Sequence, residues 1–128
     1  MFTKYKYFLF TENPDELVKF YLETLEMKLV KKLDLPMDYG YTIEAAPGYE
    51  IWIAKHSEVN GINKEPVRHM INLYTDELQR YFDKVKDVAG VKILQQPVSM
   101  GNFVPDETRY VCTFLDPEGN CIQLMGKV

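Results

Sequence analysis

Apolar side chains recur along this chain at two spacings, and the switch between them outlines its elements. Period-two alternation, the mark of a strand with one buried face, runs through residues 27–33, 41–45, 49–55, 68–74, 91–98, 108–115 and 120–125. An aromatic-rich run at 5–10 suits a further strand. Helical spacing occurs twice, in Leu17, Phe20, Tyr21 and Leu25 and in Leu78, Tyr81, Phe82, Val85 and Val88. Asn13 fits the N-cap of the first helix, with Pro14 at its first position and Asp15 and Glu16 at the positive end of the dipole. Thr75-Asp76-Glu77 reads as the cap of the second, which stops at Ala89-Gly90. Residues 36–40 read as a loop, Pro47-Gly48 as a tight turn and 99–106 as another loop.

The order strand, helix, three strands occurs twice. Asp15-Glu16-Leu17-Val18-Lys19-Phe20-Tyr21 matches Asp76-Glu77-Leu78-Gln79-Arg80-Tyr81-Phe82, which indicates an internal duplication. One domain, 1–128, is expected to hold a first module at about 4–55, an aperiodic polar connector at 56–66 and a second module at about 67–126. One module cannot cover both faces of its sheet. The fold class is therefore α+β, with two βαβββ modules side by side forming a curved mixed sheet around a cavity, helices outside.

The closing segment Phe114-Leu115-Asp116-Pro117-Glu118-Gly119-Asn120-Cys121-Ile122-Gln123-Leu124 reads as a hairpin. Pro117 presets the first turn dihedral, Gly119 tolerates a positive one, and the Asp116 carboxylate can cap the turn. With Lys19-Phe20-Tyr21 of the first helix, this hairpin resembles the vicinal-oxygen-chelate superfamily, which holds glyoxalases, bleomycin-resistance proteins and extradiol dioxygenases. The resemblance runs from Tyr5 to Gly126 and implies the same paired-module fold. In metal-using members one ligand comes from the first and one from the last strand of each half. Here the matching places carry Lys6, which is no ligand while protonated, then Trp52 with Glu50 two residues away, then His69 or Met70, then Gln123. If Ile71 and Leu73 face the helices, Met70, Asn72 and Tyr74 face the cavity. So placed, the resemblance is to metal-free bleomycin-resistance-like members with no cofactor. The alternative gathers Glu50, His69 and Gln123 around a divalent metal ion, as in a lactoylglutathione-lyase-like lyase, an isomerase or a dioxygenase-like enzyme.

Without a metal the cavity would be lined by Phe8, Phe10, Trp52, Met70 and Tyr74, with Asn72, Gln123, Glu50 and Lys6 as polar anchors. Such a lining suits a small aromatic or cationic ligand, with Trp52 stacking and Glu50 meeting positive charge. The same residues can instead fill the space as core, leaving only a role in partner binding. Members of the bleomycin-resistance branch commonly bind ligands between two chains, so a homodimer is implied.

Composition narrows the partners. The 128 residues carry a net charge of −4, with 46% hydrophobic and 27% charged residues, which fits a globular chain and argues against nucleic acid or an anionic membrane. Lys4-Tyr5-Lys6-Tyr7 and Lys31-Lys32 read as solvated strand edges. Cys112 and Cys121 have no zinc-type spacing and are expected to be reduced. With no leader and no apolar run of bilayer length, a cytoplasmic location is expected. His56, beside Ser57 and Glu58, is assigned to the connector, and Arg109 to the end of a loop that can act as a lid.

Overall fold

A computed structural model describes residues 1–128. The chain divides into two compact units, Met1–Gly61 and Ile62–Val128, each with its own four-stranded mixed sheet. Both are βαβββ modules, so the α+β fold with internal duplication is the one observed.

The first unit runs β1 (Tyr7–Thr11), α1 (Pro14–Lys19), β2 (Lys28–Leu35), β3 (Asp38–Ala46) and β4 (Tyr49–Lys55), in sheet order β1-β4-β3-β2. β1 lies parallel to β4, and the other pairs are antiparallel. Asn13 caps α1 as expected, its side-chain oxygen accepting the Glu16 N–H at 3.4 Å. Past Lys19 the helix widens into a π-helical turn, Phe20–Thr24, closed by the bond from Leu25 N to the Phe20 carbonyl at 3.1 Å. The extra residue per turn lets the consecutive Phe20 and Tyr21 both bury, with their rings edge to face at 5.5 Å. Tyr39 and Tyr41 of β3 both donate their hydroxyls to Asp15 at 2.5 Å. That fixes α1 over the odd-numbered face of the sheet, where Leu9, Ile43, Ile51 and Ile53 are buried. Expected boundaries move: β1 is Tyr7–Thr11 rather than 5–10, β2 runs on to Leu35 rather than 33, and β3 starts at Asp38 rather than 41, because Pro36 and Met37 alone make the turn.

The second unit runs β5 (Met70–Thr75), α2 (Leu78–Val85), β6 (Lys92–Ser99), β7 (Tyr110–Leu115) and β8 (Cys121–Gly126), in order β5-β8-β7-β6. β5 is parallel to β8. Leu78, Phe82 and Val85 of α2 are buried, and the helix packs on β6, β7 and β8. It ends at Val85, a turn before Val88, and the chain then winds through turns to Gly90 at φ +86°. Thr75 does not cap α2 directly; its hydroxyl accepts the Glu77 N–H at 3.0 Å, and Glu77 holds the N-cap position without a side-chain capping bond, its carboxylate accepting from Arg80 instead. β6 slips register twice along its pairing with β7, in the stretch that carries Pro97.

The closing turn is built around Asp116, whose side chain is fully buried. Its Oδ1 accepts the backbone N–H groups of Glu118 and Asn120, both at 2.9 Å, and the Asn120 side-chain amide reaches both carboxylate oxygens at 3.2 and 3.0 Å. Gly119 sits at φ +85°, a conformation that side chains resist.

Cys112 and Cys121 are free thiols, at most 2% exposed. Burial pushes the Cys112 thiol up to about 11, and Cys121 in the same direction. A thiol so placed holds almost no thiolate near neutrality. Neither cysteine should react with an aromatic disulfide reagent in folded protein at pH 8, and both should react once urea unfolds it. Labelling of either in folded protein would contradict this placement.

Candidate functional site

Strand register sorts the candidate side chains into one set in each unit. In the first unit Phe8 lies beside Trp52 and Trp52 beside Thr42, while Phe10 lies beside Ala54 and Ala54 beside Gly40. These even-numbered positions share the face turned away from α1. A Cβ on Gly40 would run into the Ile53 carbonyl and Ala54, so only glycine allows β3 to lie this close to β4. Lys6, just ahead of β1, continues the same face. Its ammonium donates to Thr42 Oγ1 at 3.1 Å, lies 3.5 Å from Glu50 Oε1 and stands 5.9 Å from the centroid of the Trp52 ring. Lys4 reaches the same Glu50 oxygen at 3.5 Å. Phe8 and Phe10 meet edge to face at 6.0 Å.

In the second unit the face carrying Met70, Asn72 and Tyr74 is exposed, whereas Ile71 between them is buried. Asn72, Gln123 and Thr113 form one lateral row. The Gln123 amide donates to Asn72 Oδ1 at 3.0 Å, and its oxygen accepts the Thr113 hydroxyl at 3.4 Å. Arg109 stands 5.7 Å from the Tyr74 ring centroid, held by two bonds to Glu107 at 2.7 and 3.0 Å. The guanidinium bonds of Arg109, followed by its backbone N–H, pull the Glu107 carboxyl down to about 2.

Two expectations change. Trp52 is only 9% exposed, so most of its ring is unavailable for stacking, while Phe8, at 55%, presents the larger aromatic surface. Glu50 is not an open negative charge, because two lysines already share one of its oxygens. His69 lies ahead of β5, exposed, on the parity of Ile71 and not of Asn72. His56, assigned to the connector, directly follows β4. It continues the parity of Glu50, Trp52 and Ala54 past the end of β4, and its ring lies 5.0 Å from Phe10. Its Nδ1 accepts the Glu58 N–H at 3.1 Å, which leaves a proton on Nε2.

A resident divalent ion needs converging anionic or imidazole donors. The four strand places carry Lys6, Trp52, Met70 and Gln123, and no three His, Cys, Asp or Glu side chains come together to hold a metal. The alternative set of Glu50, His69 and Gln123 fares no better. Glu50 is ion-paired to two lysines, and His69 is on the parity of Ile71, not on that of Asn72, the neighbour of Gln123. The donor set does not fit such an ion.

Known proteins share this architecture. A lactoylglutathione lyase from Oryza sativa subsp. japonica is 32% identical in an alignment of 115 positions that covers 82% of this chain and 38% of the rice protein. A point mutant of glyoxalase I from Zea mays superposes with a TM-score of 0.74 at 19% identity, covering 92% of this chain and 43% of the maize chain. The chain thus spans less than half the length of either plant protein. A glyoxylase/bleomycin resistance protein/dioxygenase domain from Frankia sp. EAN1pec gives a TM-score of 0.75 at 12% identity, with 100% of this chain and 99% of the other covered. The pattern of the Glyoxalase/Bleomycin resistance protein/Dioxygenase superfamily matches residues 5–124, and the chain belongs to that superfamily.

Proposed function

We propose that this protein binds a small organic molecule without a resident metal, in the manner of the bleomycin-resistance members of its superfamily. The observation that carries the reading is the chemistry at the four strand places. In the first unit a cation and an indole stand there, with exposed Phe8 on the same face, and in the second an exposed thioether and an amide, with exposed Tyr74 on theirs. Asn72 and Gln123 supply hydrogen-bonding anchors held in place by their mutual bond. We take the working form to be a homodimer in the cytoplasm, which native mass spectrometry tests for the assembly. No helix is long and apolar enough to cross a membrane.

The second reading is a lactoylglutathione-lyase-like enzyme that needs a divalent cation. The identity to the rice lyase favours it. A thermal-shift series on chelator-stripped protein with nickel, zinc, manganese and magnesium separates the two. A ligand that binds only the folded state raises its stability, by about 2.7 kcal/mol at a hundred times its Kd. We expect no cation to raise the midpoint. A reproducible rise with one cation, abolished in both Glu50→Ala and His69→Ala, would make the lyase reading primary.

A further inference from the structure

The ammonium of Lys6 has three protons; it donates one to Thr42 Oγ1 at 3.1 Å and is ion-paired with Glu50 Oε1 at 3.5 Å. It keeps donor capacity beyond that one hydrogen bond, on a side chain with 25% of its surface exposed. The carboxylates nearby are engaged. Glu50 is shared between Lys6 and Lys4, and Glu44, its partner across the sheet, accepts the Gly48 N–H at 3.4 Å. On the outer strand Lys28 and Lys31 stand opposite Glu44 and Thr42. The Trp52 ring already has a cation against it, the protein's own Lys6. A cationic ligand would therefore meet like charge where it needs an aromatic face, whereas an anion finds an unfilled donor.

Phe8 follows two residues along the same face. Alternate residues of a strand lie about 6.6 Å apart, the reach of a small ring carrying an acidic group. The ring of Phe8 is more than half exposed, and Phe10 stands edge-on to it at 84° as a side wall. We infer that this face of the Met1–Gly61 unit binds an aromatic anion, with its carboxylate or other oxyanion on Lys6 and its ring on Phe8. The inference rests on the binding-protein reading above and names the class of ligand.

The test uses the single tryptophan, Trp52, as reporter and three probes that share a ring and differ in charge: 4-nitrobenzoate, 4-nitrobenzyl alcohol and 4-nitrobenzylamine. Quenching should show the benzoate binding at least about tenfold more tightly than the amine. Lys6→Gln should erase the advantage of the benzoate over the alcohol and leave the alcohol's affinity within about twofold, and Lys6→Arg should keep the advantage. An unchanged urea midpoint in Lys6→Gln shows that the fold is intact. Equal or tighter binding of the amine, or an anion preference that survives Lys6→Gln, would overturn the inference and leave the binding-protein reading standing. If none of the three probes binds, the binding-protein reading of this face falls with it.

Discussion

Replacing Asp116 with alanine is expected to lower the stability of the folded protein by about 3 kcal/mol. The carboxylate is fully buried in the closing turn and accepts two backbone N–H groups and the Asn120 amide. Alanine returns none of those acceptors, and a donor left buried without a partner loses its solvation outright. For a domain of this size the loss moves the urea midpoint by roughly 2 M, taking an m value on the order of 1.5 kcal/mol/M. Asp116→Asn keeps one acceptor oxygen for the two backbone donors but turns its amide toward another amide at Asn120. Its midpoint should fall between the wild type and Asp116→Ala. A shift under about 0.5 M for the alanine variant would show that the turn is held by Pro117 and Gly119 alone.

Trp52→Ala and Phe8→Ala should part company. Trp52 is 9% exposed within the sheet of the first unit, and truncating a buried tryptophan costs about 3 kcal/mol through lost burial and the cavity left behind. Phe8, at 55% exposed, should cost less than about 1 kcal/mol in stability yet weaken an aromatic ligand about tenfold. Urea midpoints and titration with 4-nitrobenzoate, followed by calorimetry so that loss of the tryptophan does not matter, check both. If Trp52→Ala stays as stable as the wild type, the indole is not part of the core. If Phe8→Ala binds the probe normally, the stacking surface lies elsewhere.

The elements were legible where one local rule decided them. β4 follows alternation from Tyr49 to Lys55, and Asn13-Pro14 opens α1. The Asp-Pro-Glu-Gly turn carries its own chemistry. The π-helical turn after Lys19 was not legible, because Leu17, Phe20, Tyr21 and Leu25 satisfy ordinary helical spacing equally well. Alternation also assigned Phe8, Trp52, Met70 and Tyr74 to faces, but it carries no measure of depth. Trp52 and Phe8 share one face and differ sixfold in exposure. Nor does spacing reveal which charges meet. Lys4 lies ahead of any strand, yet it ends at Glu50, 46 residues away.

In both units the first strand pairs in parallel with the last, β1 with β4 and β5 with β8. Neither sheet can be completed from neighbours in sequence, since its final pairing joins segments separated by most of the unit, and closing such a loop comes late in folding. During synthesis the first unit can complete its sheet once Lys55 has cleared the ribosome, while the second must wait for Gly126. Until then β5 exposes the unpaired edge that β8 will cover, as β1 does until β4 emerges, so each half has its own interval in which a nascent chain can misassociate.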